Sequence, residues 1–121
     1  MRIGELAEQA GTSTRTLRYY EQQGLLTARR TANGYREYDE TDLRLVQEIR
    51  SLLEIGFGLE ETRPFVDCLR EGNASGAMCR GSQEVLGRKL TDLDAVITRL
   101  QAVRSQVERE LTTHADHRTE E

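Results

Sequence analysis

The chain has 121 residues and a net charge of −4, with 36% hydrophobic residues, one proline and no tryptophan. That length fits one compact domain with an appendage, and so little apolar material excludes a large enzyme core and points to stability shared with a partner subunit. No apolar run reaches membrane-spanning length and the N-terminus has no signal-peptide core, which predicts a cytoplasmic protein whose Cys68 and Cys79 are thiols rather than a structural disulfide.

The charge is unevenly distributed. Between Ser13 and Arg36, five arginines (Arg15, Arg18, Arg29, Arg30, Arg36) meet a single acid, Glu21, while the remainder of the chain is acidic. A phosphate backbone responds to local charge, so the net value does not exclude nucleic acid.

In chain order, Ile3, Leu6, Ala7 and Ala10 fall at i, i+3, i+4 and i+7 and predict a short amphipathic helix over residues 3–10. Gly11 ends it, and Thr12 or Ser13 caps a second helix over residues 14–23, with Leu17 facing inward and Gly24 as its stop. Helix, short glycine-containing turn and helix form the helix-turn-helix pattern. The second helix places Arg15, Arg18, Tyr19 and Gln22 on one face, at spacings of three and four. Residues 25–38 change period: Leu25–Thr27 and Tyr35–Tyr38 flank a basic stretch ending in Asn33–Gly34, a strong hairpin signal, and predict a small β-wing. Asp39 or Thr41 caps a third helix that ends at Gly56. A fourth spans roughly 59–69, with Pro64 inside it predicting a kink or an irregular first turn.

Residues 71–81 are small and unpatterned and predict a loop. Ser82 then caps a long helix over 82–112, in which Leu86, Leu90, Leu93, Ile97 and Leu100 keep heptad spacing before the seam shifts onto Val103, Val107 and Leu111. Thirty residues of helix reach roughly 45 Å. No later apolar helix covers this stripe, so the simplest cover is a second copy in an antiparallel coiled coil. Residues 113–121 predict a frayed polar tail. The fold class expected is mostly α with a β-hairpin wing: a winged helix-turn-helix domain over 1–70, then the dimerisation helix.

The strings Arg2-Ile-Gly-Glu-Leu-Ala7, Thr14-x-x-Leu-Arg18-Tyr-Tyr-Glu-x-x-Gly24-Leu-Leu26 (residue 16 being Thr), Asn33-Gly-Tyr-Arg-x-Tyr38 and Leu53-x-x-Gly-Phe-x-Leu59 together resemble the MerR family of regulators. Thr62 and Pro64 depart from the family pattern, which has an apolar residue and a helix former there. The resemblance implies a sequence-specific transcriptional regulator that binds a pseudo-palindromic promoter spacer in double-stranded DNA as a homodimer. Such a regulator distorts the spacer in response to an effector, and RNA polymerase feels it through the promoter. The DNA-contacting residues it implies are Thr14, Arg15, Arg18, Tyr19 and Tyr20 on the second helix and Arg29, Arg30, Arg36 and Tyr38 in the wing; Tyr20 is also placed to pack against the wing or third helix. The rival reading is an architectural or accessory coiled-coil protein without a dedicated effector.

No Ser/His/Asp arrangement, P-loop or dinucleotide fingerprint is present, and both histidines lie in the tail, so no enzyme is expected. Two effector chemistries stay open. Cys79 falls where metal-sensing members carry a ligand, and with His114 and His117 it offers three donors to a metal ion such as zinc. Alternatively, Cys68 and Cys79, eleven residues apart across a flexible loop, form a reversible disulfide. A third reading leaves both cysteines without a sensing role. A chain of this length has no room for a large drug-binding domain.

Overall fold

The protein's computed structural model describes residues 1–119, with side chains as far as Ala115. Along the chain come α1 (Ile3–Ala10), α2 (Thr14–Gln22), β1 (Arg29–Arg30), β2 (Arg36–Glu37), α3 (Glu40–Glu54), a 3₁₀ turn (Glu60–Thr62), α4 (Arg63–Arg70) and α5 (Arg80–Thr119). The chain divides into two compact units, Met1–Val85 and Leu86–Glu121. Among the described residues no helix is long and apolar enough to cross a membrane.

In the first unit, Leu6, Leu17, Leu25, Leu45, Val46, Ile49 and Val66 form the centre of the core, all essentially without solvent access. Local chemistry sets the helix ends. Gly11 takes a left-handed conformation (φ 70°) at the end of α1, and Ser13 accepts the Thr16 amide to start α2. Gly24 repeats the left-handed turn after α2. Asp39 caps α3 in a reciprocal box: its carboxylate accepts the Asp42 amide, and the Asp42 carboxylate accepts the Asp39 amide.

Several expectations are corrected. Leu25 and Leu26 are core residues, not wing strand; the strands are only Arg29–Arg30 and Arg36–Glu37. The irregularity expected near Pro64 is the 3₁₀ turn, and Pro64 stands in the first turn of α4, where no intrahelical donor is needed. Thr62 is fully buried where an apolar residue was expected; its hydroxyl donates to the Leu59 carbonyl at 2.6 Å, which makes burial tolerable. Ser82 is not a cap. It lies inside the first turn of α5, buried, and its hydroxyl donates to the Gly76 carbonyl at 2.5 Å. Helix α5 begins two residues before the expected start, and its backbone stays helical to Thr119 where a frayed tail was expected.

The second unit is the remainder of α5. Leu90, Leu93, Val96, Ile97, Leu100, Val103, Val107 and Leu111 are all large, apolar and exposed, from 47% at Leu93 to 70% at Leu111. Leu86 is half-buried. Pairs such as Arg104–Glu108 and Gln106–Glu110 line the polar side at i,i+4 spacing.

Asp39→Ala removes the acceptor for the Asp42 amide and one carboxylate partner of Arg29. Loss of an N-cap costs about 1 kcal/mol, so the thermal midpoint of the full chain should drop by roughly 4–8 °C, followed by circular dichroism, while Asp39→Asn retains most of it.

Candidate nucleic-acid interface and cysteine pair

Helix α2 turns Leu17 and Tyr20 into the core and leaves Arg15, Arg18 and Tyr19 on the solvent side, with Thr14 half-buried at its start. Tyr19 is 49% exposed. Two guanidinium groups and a phenol thus share one open face.

The wing pairs Arg29 with Glu37 and Arg30 with Arg36 in antiparallel register. Its tip turns at Gly34 (φ 82°), whose amide donates to the Thr31 carbonyl at 2.9 Å. Arg30 donates to the Gly34 carbonyl at 3.1 Å and holds that tip. Sequence reasoning missed one feature here: the Arg2 guanidinium stacks 4.1 Å over the ring of Tyr35, itself 52% exposed. Neighbouring aromatic and cation at the wing could have been read only with knowledge that residue 2 reaches residue 35.

The structure turns two expected DNA-contacting residues, Tyr38 and Tyr20, inward, while Arg29 stays exposed and is engaged by acids. Tyr38 is 1% exposed, and its hydroxyl donates to Glu21 of α2. Burial first, then the Glu21 hydrogen bond, pushes its phenol well above the usual range. Tyr20 is buried beneath α2, its phenol raised by burial and partly offset by Arg50. Arg29 binds Asp39 and reaches Asp42 at 3.3 Å, so it fastens the wing to the start of α3. There the Asp42 amide holds the Asp39 carboxyl low, whereas burial raises Asp42. Arg36 pairs with Glu21 at 3.2 Å while keeping its side chain 40% exposed, so it both docks the wing and faces outward.

Three further arginines hold the backbone of this face from behind. Arg50 donates to the Ala10 carbonyl, Arg63 to the Gln23 carbonyl at 2.8 Å, and Arg70 to the Leu25 carbonyl at 2.6 Å.

Cys68 on α4, 1% exposed, is bonded to Cys79, the residue just before α5, with Cα atoms 5.8 Å apart. The thiols expected of both residues are therefore a disulfide here. Asn73, which sequence reasoning passed over, donates to the Cys79 sulfur at 3.3 Å and to the Cys68 carbonyl at 3.0 Å. The bond lines an open cleft of about 370 Å³ that it shares with Glu60, Arg63, Asp67 and Glu71.

The expected metal donors are not assembled. Among the described residues no three His, Cys, Asp or Glu side chains form a cluster fit for a metal ion. Cys79 is engaged by Cys68, His114 lies 3.7 Å from Glu110 on its own helix, and the His117 side chain lies outside the described residues.

Residues 1–67 match the model of the MerR HTH family of regulatory proteins. The chain is 33% identical over 117 residues to the HTH-type transcriptional regulator HmrR of Rhizobium leguminosarum bv. viciae, covering 97% of this chain and 87% of that one. It is 37% identical over 118 residues to nodulation protein NolA of Bradyrhizobium sp. (strain NC92), of which it spans only 45%. Among solved structures, PbrR691 of Ralstonia metallidurans CH34, in complex with lead(II), superposes with a TM-score of 0.68 at 26% identity, covering 88% of this chain and 82% of that chain. HiNmlR, a regulator lacking the sensor domain and bound to promoter DNA, shares the fold with a TM-score of 0.58 at 24% identity, over 84% and 75% of the two chains.

Tyr38→Phe leaves the Glu21 carboxylate short of one donor and should cost about 1.5–3 kcal/mol in urea unfolding, since hydrogen bonds to charged groups run in that range. Because the folded-state pKa of Tyr38 is raised above its ordinary value of 10.0, the hydroxyl's contribution is whole below that pH and is lost as pH rises above it. The gap between wild type and variant should therefore be constant near neutrality and close in strong alkali.

Proposed function

The chain belongs to the MerR family of helix-turn-helix transcriptional regulators, DNA-binding proteins rather than enzymes, and on that premise we propose that it acts as a homodimer on a pseudo-palindromic promoter spacer. The observation that carries this reading is the open face of Arg15, Arg18 and Tyr19 on α2 beside a wing that α2 itself docks through Glu21. Helix α2 enters the major groove, where arginine forks to guanine or phosphate and the Tyr19 hydroxyl reaches a phosphate. Arg30 and the exposed side of Arg36 take the flanking backbone, and Arg2 with Tyr35 extends that contact at the wing.

The apolar stripe of α5 supports the dimer. Burying each such leucine is worth roughly 1.5–3 kcal/mol, and a second copy of the same helix supplies a matching stripe. Two protomers then present two copies of α2 to two half-sites, and distortion of the intervening DNA transmits the state of the protein to RNA polymerase. A basic groove-reading face favours this reading over an accessory coiled-coil protein whose winged domain docks other proteins, which has no need of it. An architectural DNA-binding protein would differ in lacking selectivity for its own upstream DNA.

For the effector, the Cys68–Cys79 bond favours a thiol-redox input: a pair that bonds across eleven residues without leaving the winged unit has two chemical states available. A metal input is the second reading, favoured by the likeness to lead-bound PbrR691. It calls for Cys79 in its reduced form.

Arg15→Ala and Arg18→Ala should each weaken binding to the protein's own upstream DNA by about 1–3 kcal/mol where a base is read, measured by fluorescence anisotropy against random competitor DNA. Wild-type affinity and selectivity in the double variant would remove the groove-reading model.

Leu93→Glu with Ile97→Glu should give a monomer in analytical ultracentrifugation and lose half-site cooperativity. A full dimer from that variant would place the interface elsewhere.

A further inference from the structure

The two sulfurs of the Cys68–Cys79 bond are chemically unequal. Cys68 is buried on α4, and the nearest polar atom offered to its sulfur is the Ser75 carbonyl oxygen at 3.5 Å, an acceptor that suits a protonated thiol. Cys79 is partly exposed. It directly precedes a 40-residue helix, its carbonyl accepts the Gln83 amide at 3.0 Å, and Asn73 donates an N–H to its sulfur at 3.3 Å. A helix N-terminus and an amide donor both favour a thiolate, against the Glu71 carboxylate 3.8 Å away, which opposes it. The cleft over the bond is open, and the carboxylates on its rim outnumber the cations: Arg63 is paired with Glu60 at 3.0 Å, Glu71 stands 3.8 Å from the Cys79 sulfur, and Asp67 adds a second acid.

From this asymmetry we infer that the cleft is a thiol-exchange site, in which small thiols attack Cys79, Cys68 is the sulfur released, and the rim selects cationic or neutral thiols over anionic ones. The inference rests on the reading of the pair as a redox input and specifies its chemistry. In reduction, the thiolate RS⁻ attacks the Cys79 sulfur, the protein S–S bond breaks, and its electron pair goes to Cys68, which takes up a proton from solvent and points it to the Ser75 carbonyl. A second thiol attacks the RS sulfur of the mixed disulfide and expels the Cys79 thiolate to Asn73 and the helix end. The net change is two RSH and one protein disulfide giving RSSR and two protein thiols. Attack at the accessible sulfur must expel the poorer leaving group, so reduction is slow, and the released Cys68 thiol recloses the ring before a second thiol arrives. The oxidised state therefore outlasts the oxidant that produced it.

The test uses the full oxidised chain and follows its reduction by acid quenching, alkylation and mass spectrometry, with cysteamine, 2-mercaptoethanol and 3-mercaptopropionate. Rates are corrected for each thiol's ionised fraction. At low salt cysteamine should outpace 3-mercaptopropionate on the order of ten-fold, and high salt should shrink the gap, as expected for charges several ångströms apart. Asp67→Asn with Glu71→Gln should close most of it. Equal corrected rates for the three thiols in wild type would overturn the selectivity without recourse to any variant. In separate samples, cystamine should form a mixed disulfide with Cys79 in Cys68→Ser much faster than with Cys68 in Cys79→Ser; equal rates would overturn the assignment of attacked and released sulfurs. Failure of wild type to form the bond with diamide would overturn both. In vitro transcription from the cognate promoter tests the underlying reading by itself: if exchange follows the pattern above but oxidised and reduced protein transcribe alike, the site stands and the redox input falls.

Discussion

Guanidinium groups donated to main-chain carbonyls at the ends of helices hold the winged unit in register. A helix leaves its last carbonyls without intrahelical partners and with partial negative charge. Ala10 at the end of α1 receives Arg50, and Gln23 and Leu25 after α2 receive Arg63 and Arg70. The same ends carry two of the left-handed glycines, Gly11 and Gly24. A β-carbon on Gly11 would stand 3.0 Å from the Arg50 guanidinium, and one on Gly24 would stand 3.6 Å from that of Arg63. At Gly11 turn and clamp compete for space, so the missing β-carbon leaves room for Arg50, whereas at Gly24 Arg63 would sit at ordinary contact distance and the glycine serves the left-handed backbone. Supported from α3 and α4, the short helices α1 and α2 need little stability of their own.

A division of labour among the cations follows. Arginines on α3 and α4 serve the backbone, Arg29 and Arg36 in the wing are drawn toward Asp39, Asp42 and Glu21, and Arg15 and Arg18 on α2 face solvent. The acids that make the chain's net charge negative include the very groups that fasten its basic wing, which is why a net charge of −4 is compatible with a DNA-binding surface.

The legible part of this molecule is the part whose causes are local. Gly11, Ser13, Gly24, Asp39 and Asn33–Gly34 act within a few residues of themselves, so helix order, caps and the hairpin tip were readable in the sequence. What depended on distant neighbours was not. Alternation along the wing put Tyr38 beside Arg36, but the strand stops at Glu37. The Tyr38 amide then bonds the Met1 carbonyl at 2.7 Å, and the ring turns in toward Glu21, seventeen residues earlier. Heptad spacing marks the apolar stripe of α5 and says nothing of where the helix begins, hence the misreading of Ser82. The proximity of the cysteines followed from their short separation, whereas the roles of Asn73 and Glu71 depend on the path of the loop between them, which composition does not dictate.

Glu21 has a consequence for the cost of binding. Strands of two residues are too short to keep a hairpin in place, and a loose wing would lose its freedom on meeting the duplex, subtracting that entropy from affinity. Because one carboxylate on α2 holds both Arg36 and Tyr38, the wing is immobilised before any DNA arrives. On the proposed docking, the distance between α2 and the hairpin is then a fixed gauge. On that proposal, a duplex that does not match the gauge is the body that yields.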